Sequence, residues 1–153
     1  MLKMRPLPFS KLAFVAASAL VALAAHALEY RATVDHGVAF YDAPSESAAK
    51  LFVTSKGYPV EVLVDNKDWV RVRDQSGALA WVQKKSLTTK RSVMVTTTSA
   101  EVHAAPDAKS PLLFKADKNV VFELVDAGKS GWVKVKHRDG VVGYMHIEEV
   151  WGL

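Results

Sequence analysis

The chain has 153 residues with 20 Lys and Arg against 16 Asp and Glu, a net charge of +4 and no Cys. This charge excess is too small for a nucleic-acid binder, which is expected to be strongly basic. Because Cys is absent, disulfides and catalytic thiols are excluded, and the fold must depend on its apolar core.

The N-terminal residues 1–27 have the pattern of a signal peptide. A basic segment over 3–11 precedes an uncharged apolar run over 12–25, and Ala25-His26-Ala27 provides a small-x-small cleavage site. A retained membrane anchor is the alternative, but the run is shorter than the ~20 apolar residues of a spanning helix. We therefore expect an exported protein, periplasmic or secreted, that begins at Leu28 and has no membrane contact after cleavage.

The positive charge lies mostly in this leader. Residues 28–91 carry 10 basic and 8 acidic side chains, and residues 92–153 carry 7 and 8. Neither part has the charge of a nucleic-acid binder, so no nucleic-acid partner is expected.

The rest of the chain repeats itself at an offset of 62 or 63 residues. Trp69-Val70-Arg71-Val72-Arg73 matches Trp132-Val133-Lys134-Val135-Lys136 at the larger offset. A repeat of this length indicates a tandem of small domains, which we place at 28–90 and 91–153. The connecting residues 88–91 include no Gly or Pro, which predicts a fixed rather than a flexible arrangement.

Apolar side chains alternate with polar ones at a period of two, which predicts strands. Strands are predicted at 30–34, 37–41, 57–64 and 69–73 in the first half, and at 92–96, 98–103, 119–125 and 132–136 in the second. A last strand or 3₁₀ turn is predicted near 84–87 and 147–151. About five short strands in some 60 residues, with no helical period, predict an all-β fold with one small closed barrel in each half.

Two hairpin turns set the predicted register of the central strands. Ser76-Gly77 and Asp139-Gly140 are typical of two-residue turns. Such turns place Val72 opposite Trp81, and Val135 opposite Tyr144. This register predicts that Trp81 and Tyr144 are core residues.

A running motif recurs in both halves: a small-Pro step, a Val-x-Val-Leu strand, a Trp-Val-x-Val strand and Gly-x-x-Gly-Trp-Val. In the first half these are Ala43-Pro44, Val60-Glu61-Val62-Leu63, Trp69-Val70-Arg71-Val72 and Gly77-Ala78-Leu79-Ala80-Trp81-Val82. The second half supplies Ala105-Pro106, Phe122-Glu123-Leu124-Val125, Trp132-Val133-Lys134-Val135 and Gly140-Val141-Val142-Gly143-Tyr144-Met145. This pattern resembles the bacterial SH3-like domain family. The resemblance implies two tandem SH3-like small β-barrels of about five strands each.

Eukaryotic relatives of this family bind Pro-rich peptides in a groove that uses a Pro and a Tyr after the Gly-Tyr-Val strand. Those positions hold Gln83 and Ser86 in the first half, and His146 and Glu149 in the second. Binding of Pro-rich peptides is therefore not expected.

The sequence shows no pattern typical of catalysis. No two His have the spacing of a zinc enzyme, and neither a nucleophile elbow nor a phosphate-binding Gly-rich loop is present. We therefore expect no enzyme activity, no metal and no cofactor; the alternative is an enzyme with an unrecognised site.

Aromatic side chains next to cations are the candidate ligand contacts. An indole platform with nearby cations suits acidic peptide or sugar groups. We predict Trp69 and Trp132 on the outer face and Tyr41 and Tyr58 in the same groove; the alternative is that each Trp closes its barrel end. The full set of candidate binding residues is Trp69, Trp132, Tyr41, Tyr58, Arg71 and Lys134. Trp151 has no counterpart in the first half and is predicted to seal the interface between the domains.

These observations predict a non-catalytic binding module of the cell envelope. The resemblance implies peptidoglycan or its stem peptides as the partner, and two weak sites would gain avidity on a repeating polymer. The alternative is an adaptor that docks on an envelope protein through strand edges or the inter-domain cleft. Similar aromatic grooves in both halves would favour the polymer-binding hypothesis. A single binding face in one half would favour the adaptor hypothesis. The oligomeric state stays open.

Overall fold

The computed structural model describes residues 27–153. The predicted signal peptide lies outside this range except for its last residue. The strands of the first half are β1 Glu29–Thr33, β2 Val38–Tyr41, β3 Lys50–Thr54, β4 Pro59–Asp65, β5 Trp69–Arg73, β6 Leu79–Gln83 and β7 Leu87–Thr88. Those of the second half are β8 Ser92–Val95, β9 Ser99–His103, β10 Leu112–Asp117, β11 Val121–Asp126, β12 Trp132–Lys136, β13 Val142–His146 and β14 Val150–Trp151. One 3₁₀ turn, Lys84–Ser86, precedes β7, and another, Ile147–Glu149, precedes β14. Within the described range, no helix is long and apolar enough to cross a membrane.

The two halves have the same topology. Each forms a seven-stranded antiparallel sheet, in the order β3-β2-β6-β5-β4-β1-β7 and β10-β9-β13-β12-β11-β8-β14. The predicted all-β tandem is therefore confirmed.

Each sheet curves around its own apolar cluster. Val70 and Val72 of β5 are buried while Arg71 and Arg73 point outward, as the period of two predicts. Phe52 from β3, at one edge of the first sheet, and Leu87 from β7, at the other, pack against the same buried cluster. Residues from both edges reach one core only if the sheet is strongly bent.

The strands β3 and β10 were not predicted from the sequence. Each lies at a sheet edge, and most of its side chains are partly or fully exposed. Leu112, Leu113 and Phe114 also follow one another without alternation. A strand that pairs on one side only carries a weak period-two pattern, which is why the prediction missed both.

The central hairpins differ from the predicted register by one residue. Val72 lies opposite Ala80, and Val135 opposite Gly143. Consequently Trp81 and Tyr144 point to the outer face, and the prediction that they are core residues is wrong. A shift of one residue exchanges the two faces of a strand.

The reason for the shift is the type of turn. Asp74 N–H donates to Ala78 O at 3.0 Å and Gly77 N–H donates to Asp74 O at 3.0 Å. Gly77 has a φ of 87°. This is a three-residue loop made of a type I turn followed by a left-handed glycine. The second hairpin repeats it with Gly140, whose φ is 93°.

Side chains near the connection join the two domains. The rings of Tyr30 and Trp151 meet edge to face at 5.1 Å between centroids, which confirms the predicted role of Trp151. The Arg91 guanidinium donates to Gly152 O at 2.6 Å and lies 5.5 Å from the centroid of the Tyr30 ring. The Ser92 hydroxyl donates to Gly57 O. The domains thus share aromatic, cationic and hydrogen-bonding contacts.

Candidate functional site

The two family-type tryptophans occupy equivalent places. Trp69 begins β5 opposite Gln83, and Trp132 begins β12 opposite His146. Each indole meets a ring from the neighbouring part of the sheet edge to face. Tyr41 lies at 5.3 Å from Trp69, and His103 at 5.6 Å from Trp132.

Trp69 is half-buried in an open groove of about 540 Å³. The groove is lined by one indole, one amide, three ammonium groups and two carboxylates: Trp69, Gln83, Lys67, Lys84, Lys85, Glu46 and Asp68. The Gln83 amide donates to the Glu46 carboxylate, so its side chain is held by a partner across the groove. The arrangement offers an aromatic surface beside several cations.

An ion pair below the groove positions one of these cations. Lys84 Nζ lies 2.8 Å from Asp65 Oδ1, and Arg31 donates to Asp65 Oδ2 at 2.6 Å. Hydrogen bonds from Lys84 and then from Arg31 lower the pKa of the Asp65 carboxyl. Asp65 therefore stays ionised and keeps Lys84 in place.

Trp132 is closed off where Trp69 is open. It is only 8% exposed, and the His146 ring lies over it at 3.8 Å between centroids. The residue equivalent to Glu46 is Ala108, at the offset that relates Ala43-Pro44 to Ala105-Pro106. His146 thus has no carboxylate partner where Gln83 has one. It packs on the indole instead.

A different depression borders Trp132, with a volume of about 460 Å³. Lys134 and Tyr144 line it together with the loop 126–130 residues Asp126, Gly128, Lys129 and Ser130 and with Pro106. Lys134 Nζ lies 5.9 Å from the Tyr144 ring centroid. The second half therefore presents a cation over a tyrosine rather than an open tryptophan.

The structure brings only some of the predicted site residues together. Tyr41 contacts Trp69, and Lys134 lines the depression beside Trp132. Arg71 is exposed on the outer face opposite Trp81 and is not part of the Trp69 groove.

Tyr58 corrects the prediction that placed it in the groove of Trp69. It lies in a separate cleft of about 450 Å³ between the domains, with Met94 and Val121 on the far side. Its ring packs edge to face on Phe40 at 6.2 Å, because residue 58 leads into the buried start of β4. Burial first, and then the nearby Asp74 carboxylate, raise the pKa of the Tyr58 hydroxyl.

Sequence reasoning did not select the polar residues of the Trp69 groove or the two histidines around Trp132. Lys84 and Lys85 were visible as a basic pair, but their position beside Trp69 depends on the hairpin register. The correct register puts Gln83 opposite Trp69. A three-residue loop, which the turn sequence also allows, would have predicted this pair. Glu46 comes from a distant loop, so only the fold brings it near.

A family model described as bacterial SH3 domain matches residues 34–88 and 97–152. No curated protein matches the chain.

Three solved structures are similar to parts of the chain. NlpC1 and NlpC2 from Trichomonas vaginalis are each 16% identical, with TM-scores of 0.38 and 0.37, and each match covers 83% of this chain. An NlpC/P60 family protein from Bacillus cereus ATCC 10987 is 17% identical, with a TM-score of 0.34 over 79% of this chain. The matches cover 46%, 49% and 55% of those proteins, so this chain spans about half of their length.

Proposed function

Because the chain belongs to the bacterial SH3 domain family and contains two such domains in tandem, we propose that it is a non-catalytic binding module of the cell envelope. The proposed ligand is peptidoglycan or its stem peptides, bound in the Trp69 groove. The leader at 1–27 supports export to the compartment where this ligand is found.

The open indole of Trp69 among lysines is the observation that carries this proposal. Stem peptides combine free carboxylates with apolar side chains. Ammonium groups of Lys67, Lys84 and Lys85 attract the carboxylates, and the indole offers a flat apolar surface. The absence of Cys from the sequence supports a binding rather than a catalytic role.

The difference between the halves argues against two equal sites. His146 covers the indole face of Trp132, so of the two equivalent tryptophans only Trp69 is open. We therefore place the ligand in the first domain, without intramolecular avidity.

The same inequivalence favours a second candidate, an adaptor that docks on an envelope protein. One open face in one half is sufficient for an adaptor. The two candidates share the Trp69 groove and differ in the chemistry of the partner.

Co-sedimentation with isolated peptidoglycan sacculi tests the proposal. Residues 28–153 include both apolar clusters and every strand of the described range, so this segment, the mature protein expected after cleavage, is the one to purify. We expect saturable pelleting of wild type that weakens with added salt, because the attraction is partly ionic. The double change Lys67→Ala with Lys85→Ala, which leaves the core untouched, should weaken binding at least about tenfold, or about 1.4 kcal/mol.

The matched control is Lys109→Ala with Lys118→Ala, two exposed lysines of the second domain. It removes the same charge and should pellet like wild type. Trp69→Ala should abolish pelleting while its circular dichroism stays that of a folded β protein. If folded wild type does not pellet, the wall ligand is rejected, and cross-linking in cells then tests the adaptor.

A further inference from the structure

The charged side chains that line the Trp69 groove are of both signs, and most of them are unpaired. Lys84 is neutralised by Asp65, which does not line the groove. The other four belong to no ion pair within the part of the chain that the structure describes: Lys67, Lys85, Glu46 and Asp68. Two ammonium groups and two carboxylates therefore border one indole without neutralising each other.

The two carboxylates are available to a cation of the ligand. The Gln83 amide that donates to the Glu46 carboxylate is neutral, so this hydrogen bond orients the carboxylate and leaves its charge uncompensated. The Asp68 side chain is exposed, while its main chain is held in place because the Lys84 N–H donates to Asp68 O at 2.9 Å. Both negative charges are thus attached to fixed parts of the groove.

The equivalent surface of the second domain lacks this set of charges. The Ile147 N–H donates to Gly131 O at 3.0 Å, as the Lys84 N–H does to Asp68 O, so the two turns correspond at an offset of 63 residues. The positions of Lys67, Asp68, Lys84 and Lys85 are taken there by Ser130, Gly131, Ile147 and Glu148. One charge remains, and its sign is opposite to that of Lys85. The mixed charges therefore accompany the open indole and not the covered one.

We propose that the Trp69 groove recognises a zwitterionic group, with an ammonium and a carboxylate on one carbon as in a free amino acid. The inference rests on the proposed function and narrows its ligand to stem peptides with a diamino dicarboxylic acid, whose side chain ends in such a group. Lys67 and Lys85 attract the carboxylate of this group, and Asp68 and Glu46 attract its ammonium. A ligand that carries only negative charge is attracted by the lysines but repelled by the two carboxylates.

Titration of residues 28–153 with three synthetic stem peptides tests the proposal. The side chain of the first peptide ends in the free zwitterionic group. The second has the ammonium of this group acetylated, and the third has its carboxylate amidated. Calorimetry measures each Kd, and we expect the first peptide to bind about three- to fivefold more tightly than either of the others, since each modification removes one exposed ionic contact.

Two double variants show whether this preference comes from the groove. Asp68→Asn with Glu46→Gln keeps the side-chain shapes and removes both negative charges. It should bind the zwitterionic and the acetylated peptide equally, and it should bind the acetylated peptide at least as tightly as wild type does, which shows that the groove is intact. Asp117→Asn with Glu148→Gln removes the same charges from exposed residues of the second domain and should keep the wild-type preference.

Equal affinity of wild type for all three peptides overturns this inference and leaves the proposed function standing. A preference that survives in Asp68→Asn with Glu46→Gln also overturns it, because another surface would then recognise the zwitterion. If none of the peptides binds, the inference is rejected as well, and pelleting with sacculi decides the proposed function on its own.

Discussion

At the scale of single residues, the environment of each tryptophan is decided by its neighbours. Trp69 and Trp132 begin equivalent strands and meet a ring edge to face in the same way. A carboxylate at Glu46 draws Gln83 across the first groove, whereas Ala108 leaves His146 free to cover the second indole. One pair of side chains thus accounts for an open indole in the first domain and a covered indole in the second.

Exchanging these pairs should exchange the two environments. Ala108→Glu with His146→Gln is expected to uncover Trp132 and raise the access of a neutral quencher such as acrylamide to its indole. Glu46→Ala with Gln83→His should lower the access to Trp69. The measurement is tryptophan fluorescence quenching in a background where the other three tryptophans are Phe. Unchanged quenching in both exchanges would contradict the role given to Glu46.

The carboxyl of Asp65 predicts a pH dependence of stability. Hydrogen bonds from Lys84 and Arg31 lower its pKa in the folded protein, while the unfolded chain has the ordinary value of 3.8. The ion pairs therefore stabilise the fold above pH 3.8, and this contribution is lost as pH falls through the lower folded value.

Asp65→Asn should reduce the free energy of unfolding by about 1 kcal/mol at neutral pH and by less near about pH 2.5. Urea unfolding at the two pH values measures the difference. Asp35→Asn, at an exposed carboxylate of the loop before β2, serves as the control and should change stability little at either pH. An equal loss for Asp65→Asn at both pH values would refute the electrostatic explanation.

At the scale of elements, the type of turn determines which face each hairpin residue takes. The left-handed glycines Gly77 and Gly140 close three-residue loops, and the register that follows puts Trp81 and Tyr144 outside. This outer face then lies beside Trp69 and Lys134, where the two candidate grooves form.

Replacing either glycine by alanine should destabilise its hairpin. A side chain in the left-handed region costs about 1–2 kcal/mol. Chemical denaturation of Gly77→Ala and Gly140→Ala is the measurement, and Gln75→Ala in the first of these loops should stay within about 0.5 kcal/mol of wild type. No loss of stability in either glycine variant would mean that the loop adopts another turn.

At the scale of the whole molecule, the two domains are joined by aromatic, cationic and hydrogen-bonding contacts. The Tyr30 ring meets Trp151 edge to face and lies beneath the Arg91 guanidinium. The Ser92 hydroxyl donates a hydrogen bond to the first domain. Small domains of this size bury a limited part of their surface and gain from docking.

Trp151→Ala should therefore loosen the domains from each other. We expect a loss of about 2 kcal/mol, below the cost of a fully buried tryptophan because the residue is half-exposed. Calorimetry should resolve two transitions where wild type shows one. Val142→Ala, an exposed apolar change away from the interface, is the control, and a single unshifted transition for Trp151→Ala would show that the domains unfold independently of this contact.

The sequence by itself determined the internal repeat, the all-β fold class and the family, because these depend on the local hydrophobic period and on motif spacing. Val70 and Val72 are buried and Arg71 is exposed, because successive side chains of a strand point to opposite faces of the sheet. Trp151 was placed at the interface because it breaks the repeat, and that prediction was confirmed.

Only the tertiary structure decided which residues share a groove. Tyr58 leads into a buried strand and faces the other domain, while Glu46 reaches Gln83 from a loop 37 positions earlier. The one-residue register difference depends on the turn, and the closure of Trp132 depends on a partner that His146 lacks. Contacts of this kind join distant parts of the chain, so they cannot be predicted from a local sequence pattern.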